Sequence, residues 1–222
     1  MASKFQRAPG ETLGDQIVGM VAAEGSAAHG YARRPARRAD RHGTRDLADA
    51  AHYLCVLHGR FPGVIDYAAE RSPFPAAADW LAAAAAGFTQ ERAYLAKLVV
   101  AAGPLPSTPG QAESEAAVLA QRHALGMLAQ SDRTGCALGA AVAMVLDWKA
   151  VRAVLDGAAG RFGVPVARLE LPDGAATRAM VDAVAASAAM ERALRFGAQQ
   201  ILVQHRGLWD LLETRQGARA EL

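Results

Sequence analysis

Carboxylates and imidazoles recur in this chain where an amphipathic helix would place leucine. Asp147 lies three residues after Met144 and is followed at i+4 and i+7 by Val151 and Val154, so it belongs to an apolar face. Glu91 falls among Trp80, Ala84, Phe88, Leu95 and Leu98, and His123 among Ala116, Leu119, Ala120 and Met127. Asp49 and His52, spaced i and i+3, put a carboxylate and an imidazole side by side within reach of one ion. Glu191 and His205 interrupt a further apolar stripe, but the helix between them would hold them about 21 Å apart, so one centre cannot use both directly. Oxygen and nitrogen donors converging from several helices suit iron or manganese. The other chemistry open to such residues is structural: a buried carboxylate accepts hydrogen bonds from a tryptophan, an arginine or a helix end.

The elements that must position these residues read as helices throughout. Cys136 to Leu146 carries no charge, and a helix apolar all round must be covered on every side. It is expected to be the central rod, over about 135–160, of an all-α bundle of five or six helices. Around it the periodicity predicts helices over about 45–58, 75–102, 108–130 and 175–215, the last bent at Gly197 or Gly207. Shorter helices are expected after Thr12 and over about 64–70. Thr108, Pro109 and Gln111 read as a capping box opening the third main helix. His58, in the last turn of its helix, reads as a cap whose charged form the helix dipole favours.

At 222 residues one bundle domain is expected over 45–215. Before it, 1–44 reads as a flexible basic segment with a short helix, carrying Arg33, Arg34, Arg37, Arg38 and Arg41 just ahead of Arg45; 216–222 reads as a tail. The hydrophobic share of 52% against 6% aromatics implies helices brought close through small side chains. With 24 Lys+Arg against 22 Asp+Glu, the net charge of +2 gives no global reason to expect nucleic acid or an anionic membrane. The first residues lack the apolar core of a signal peptide, and no apolar run reaches the ~20 residues that span a bilayer. Cys55 and Cys136 sit in apolar helical patterns and are expected as reduced thiols in a cytoplasmic protein. There is no G-x-S-x-G, P-loop, G-x-G-x-x-G or zinc-spaced cysteine pair.

The Asp49-Ala-Ala-His52 pair, with Glu91, His123 and Asp147 on other helices, resembles the ligand sets of ferritin-like proteins. That resemblance implies a metal site, iron or manganese, in a di-metal oxidase or metal-binding bundle. The chain departs from the family in having one such pair, with Ala120 three residues before His123. The run from LADAAHYLCVLHGRFPG through SDRTGCALGAAVAMVLDW resembles an uncharacterised bacterial all-helical family with no assigned activity, over most of 45–215. Two functions remain open from the sequence. One is a bundle whose interior carboxylates and histidines form a metal or small-molecule site. The other is a non-catalytic binding or interaction module, monomer or homo-oligomer, in which those residues are structural.

Overall fold

The uncharged run between Cys136 and Leu146 becomes a helix covered on nearly every side. In a computed structural model describing residues 10–33 and 41–221, apart from the side chains of Arg41 and His42, that helix is α6, Cys136–Phe162. Leu138 through Val145 are all buried, and the solvated face opens only from Lys149 onward. Seven more α-helices surround it among the described residues, and no strand: α1 Leu13–Glu24, α2 Arg41–His58, α3 Val64–Arg71, α4 Ala78–Ala102, α5 Gln111–Ala129, α7 Gly174–Val184 and α8 Ala188–Ala220. Short 3-10 turns at Ser26–Ala28 and Pro75–Ala77 follow α1 and precede α4. The chain is therefore all-α, and the predicted central rod is in place. No described helix is long and apolar enough to cross a membrane.

α8 makes the most extensive contact with α6. A Cβ on Gly139 would lie 2.0 Å from the Leu194 carbonyl oxygen, and one on Gly197 would lie 2.0 Å from that of Cys136. Only glycine lets the two backbones meet there, which is how a chain poor in aromatics closes its core.

Several expectations are corrected. Ahead of the expected domain start at residue 45, α1 buries Leu13, Ile17, Met20 and Val21 and packs on α6, α7 and α8. Thr12 caps it by accepting from the Asp15 amide, as the sequence suggested. The expected tail from residue 216 is helix as far as Ala220, and Arg219 in it is buried. The long final helix breaks at residues 185–187, where Ser187 caps α8, rather than at either glycine. Thr108 does not cap α5; Gly110, in the left-handed region at φ 71, precedes it, while Thr108 accepts from Arg219. Of the arginine-rich segment, Arg34, Arg37, Arg38 and the Arg41 side chain lie outside the described residues, as does the start of the chain through residue 9.

Candidate functional site

Asp147 does face inward, and what it meets comes from opposite ends of the sequence. The 3-10 turn after α1 delivers Ser26, whose amide donates to Asp147 Oδ1 at 2.7 Å and whose hydroxyl donates to Oδ2 at 2.5 Å. A Cβ on the preceding Gly25 would lie 2.4 Å from Asp147 Oδ1, so the turn can approach the carboxylate only with glycine there. α8 delivers His205, its Nδ1 2.6 Å from Oδ2, and one turn later Trp209, whose indole N–H donates to Ser26 Oγ at 2.8 Å. An ionised carboxylate only accepts, so Nδ1 of His205 carries a hydrogen. Its other nitrogen, Nε2, meets Nε2 of His58 at 3.0 Å. One hydrogen lies between those two nitrogens, and the whole chain from Trp209 through Ser26, Asp147 and His205 to His58 is buried.

The electrostatics give the chain a direction. Burial acts to raise the Asp147 pKa, but the hydrogen bond and positive charge of His205 and the two bonds from Ser26 outweigh it, leaving the carboxyl below its ordinary 3.8. Burial pushes His58 well below its ordinary 6.5, and the charge of His205 acts the same way. His58 is thus an uncharged imidazole at the end of α2, not the dipole-stabilised cation expected of a helix cap. The hydrogen between the two rings belongs to His58 when His205 is uncharged and to His205 when it is charged. Trp148 and Phe88 pack edge-on against its ring at centroid distances of 5.4 and 6.4 Å and fix its plane.

His58 also lines a pocket of about 370 Å³ between the end of α2, the loop after it, α3, α4, α5 and α6. Leu57, Val64, Phe88, Leu125 and Met144 supply apolar wall, Arg60 and Arg122 supply cations, and His123 supplies an imidazole. Phe61, Leu119 and Met127, also in the lining, are 74%, 46% and 65% exposed and stand at its rim.

The other predicted ligands lie elsewhere, each with its own partners. Asp49 accepts from Arg215 Nε at 2.9 Å and Arg219 Nη1 at 2.5 Å, an ion-pair cluster that ties α8 to α2. Glu91 accepts from the Trp148 indole at 2.8 Å and from Arg152 Nη1 at 2.7 Å. His52 Nε2 meets the Gly103 carbonyl, just past the end of α4, at 2.8 Å. His123 is exposed on α5 and reaches the candidate site only as part of the pocket lining. α5 buries Val118, Leu125, Leu128 and Ala129 instead of the face that carries His123. Asp49, His52, Glu91, His123 and Asp147 therefore do not share one centre. Among the described residues no group of three or more His, Cys, Asp or Glu side chains could hold a metal ion.

The match of the chain as a whole spans residues 21–220. It belongs to a family of unknown function, DUF6975. That span contains Ser26, His58, Asp147, His205, Trp209 and the whole pocket lining. No curated protein matches the chain, and no solved structure does. The expected all-helical family without assigned activity is the one found, whereas the ferritin-like resemblance has no support beyond the single D-x-x-H pair.

Sequence reasoning reached Asp147 and placed His205 on an inner stripe. It missed that the two are partners, and it missed Ser26 and His58. Ser26 lies in a pattern-free stretch that reads as linker, and no local signal shows that its hydroxyl is buried. For His58 the available signal was its position one helical turn after Leu54, on the same face as the apolar stripe.

Proposed function

We propose that the protein binds a small molecule in the pocket beside α5 and exchanges a proton with it through His58, with His205 and Asp147 as positioning residues. The observation that carries this reading is that the Asp147–His205–His58 chain ends in a pocket wall. When His58 Nδ1 takes a proton from a bound molecule, His58 Nε2 passes the hydrogen it shares to His205, leaving His58 uncharged and His205 a cation beside Asp147. The reverse sequence returns the proton to the ligand and restores the two uncharged imidazoles. Asp147 stays ionised throughout, holds the His205 tautomer and balances its charge, the division of labour of a carboxylate behind a catalytic imidazole. The free thiols of Cys55 and Cys136 agree with a cytoplasmic setting, which is part of the same proposal.

p-Nitrophenyl acetate is a suitable probe, since an uncharged imidazole with a free nitrogen facing the pocket cleaves it, as nucleophile or as base toward water, with p-nitrophenolate leaving. At pH 7 the protein should exceed an equal concentration of free imidazole by roughly 10²-fold, and His58→Gln should lose that excess. Asp147→Asn should fall at least about tenfold while retaining helical circular dichroism. A wild-type rate no greater than free imidazole, or a His58→Gln rate equal to wild type, overturns the proposal.

The second reading, a non-catalytic interaction module, is favoured by the engagement of Asp49 and Glu91 in arginine and tryptophan contacts. It accounts for those two residues but gives no reason for a histidine chain to end at a pocket.

A further inference from the structure

The pocket beside His58 has an uneven distribution of charge. Its lining includes Arg60, Arg122 and His123 but no aspartate or glutamate. Asp66, on the neighbouring α3, is already held by Arg92, at 2.8 and 3.1 Å, and by the Gly63 amide. The side chains of Arg60, Arg122 and His123 themselves make no hydrogen bond or ion pair among the described residues. By contrast the buried arginines 92, 152, 215 and 219 are all paired with carboxylates. Two arginines without carboxylate partners at a concave mouth concentrate a positive potential there. Behind them the walls turn apolar, with Leu57, Val64, Phe88, Leu125 and Met144 leading inward to the buried His58. The exposed Phe61, Leu119 and Met127 extend that apolar surface to the rim.

We propose that this pocket takes small amphipathic anions, a carboxylate with an aliphatic or aromatic body being the simplest, with the charged head among Arg60, Arg122 and His123 and the body directed toward His58. The inference rests on the reading of His58 as the group that meets the ligand and adds the class of that ligand. The carboxylate is the handle, and the atom that exchanges a proton lies on the body, near His58. At about 370 Å³ the pocket is near the lower end of the range for small-molecule sites, so the body is short.

Calorimetric titration of the full chain with octanoate, 1-octanol and octylamine tests this. Octanoate should bind at least tenfold more tightly than octanol, and octylamine should bind more weakly than either. Hexanoate, two methylenes shorter, should bind about tenfold more weakly than octanoate. Arg60→Gln combined with Arg122→Gln should bring octanoate down to the level of octanol. Gly126→Leu should abolish binding, since Gly126 lines the pocket and a Cβ there meets nothing within 4 Å, which lets the variant fold while filling the space. Equal affinity for octanoate and octanol, octanoate binding untouched by either variant, or no octanoate binding at millimolar concentration overturns the inference. Binding is read without any reaction, so octanoate preference with no His58-dependent ester hydrolysis leaves the ligand class standing and removes the proton-transfer function. Ester hydrolysis without octanoate preference does the opposite.

Discussion

Asp147 and His58 make the protein's acid stability a property of single residues. His58 has a folded pKa well below its ordinary 6.5, so below that pH the unfolded chain binds a proton that the folded chain refuses. Stability is therefore lost as pH falls through the ordinary value and continues to fall toward the folded one. Asp147, held below its ordinary 3.8, contributes stability that persists above that value and is lost only at more acid pH. The two windows are separate. Between pH 6 and pH 5, urea denaturation should show the wild type losing up to about 1.4 kcal/mol per pH unit more than His58→Gln. Parallel slopes for the two proteins would show that His58 is not held uncharged by the fold. The sequence made Asp147 visible because a carboxylate among valines breaks an apolar pattern. For His58 it left only its place beside the apolar stripe, which is outweighed because a histidine at a helix end has an ordinary reason to be there, and only the neighbour from α8 changes its chemistry.

At the scale of elements, α6 and α8 act as one unit because two glycines remove the side chains that would separate them. Gly197→Ala would drive a methyl group into the Cys136 carbonyl and should destabilise the protein by about 3 kcal/mol. Gly160→Ala, on α6 with open space at its Cβ, should stabilise it by about 0.5–1 kcal/mol. Thermal denaturation of both variants checks the pair, and similar shifts in Tm would contradict the account of the contact. Long helices with one dominant apolar face were legible from periodicity: Leu47, Ala50, Leu54 and Leu57 of α2 are all buried as that pattern requires. α5 was not legible in the same way. It carries Leu119 and Met127 on one side and Val118, Leu125 and Leu128 on the other, so the period alone cannot choose which side faces the core. The break between α7 and α8 was also hidden, because a serine cap inside an alanine-rich stretch is a weaker mark than glycine.

Over the whole molecule, the inward polar residues that look like one cluster along the sequence separate into distinct places. Asp46 and Asp49 with Arg215 and Arg219 fasten the last turns of α8, and Glu91 with Arg152 and Trp148 joins α4 to α6. Those carboxylates are matched by arginines, as buried charges must be. Asp147 has no arginine; its partners are a serine and a histidine, and that histidine leads on to a second one at a pocket. This difference in partners, which depends on residues 121 and 58 positions away in sequence, singles out one of the three places as chemical. The measurement that tests it most directly is nitrogen-15 NMR of the histidine rings between pH 5 and pH 7. The account predicts a strongly deshielded Nδ1 proton on His205, present in the wild type and lost in Asp147→Asn, together with a His58 ring that stays uncharged across that range. A His58 ring that titrates near 6.5, or a His205 Nδ1 proton unchanged in Asp147→Asn, would contradict it.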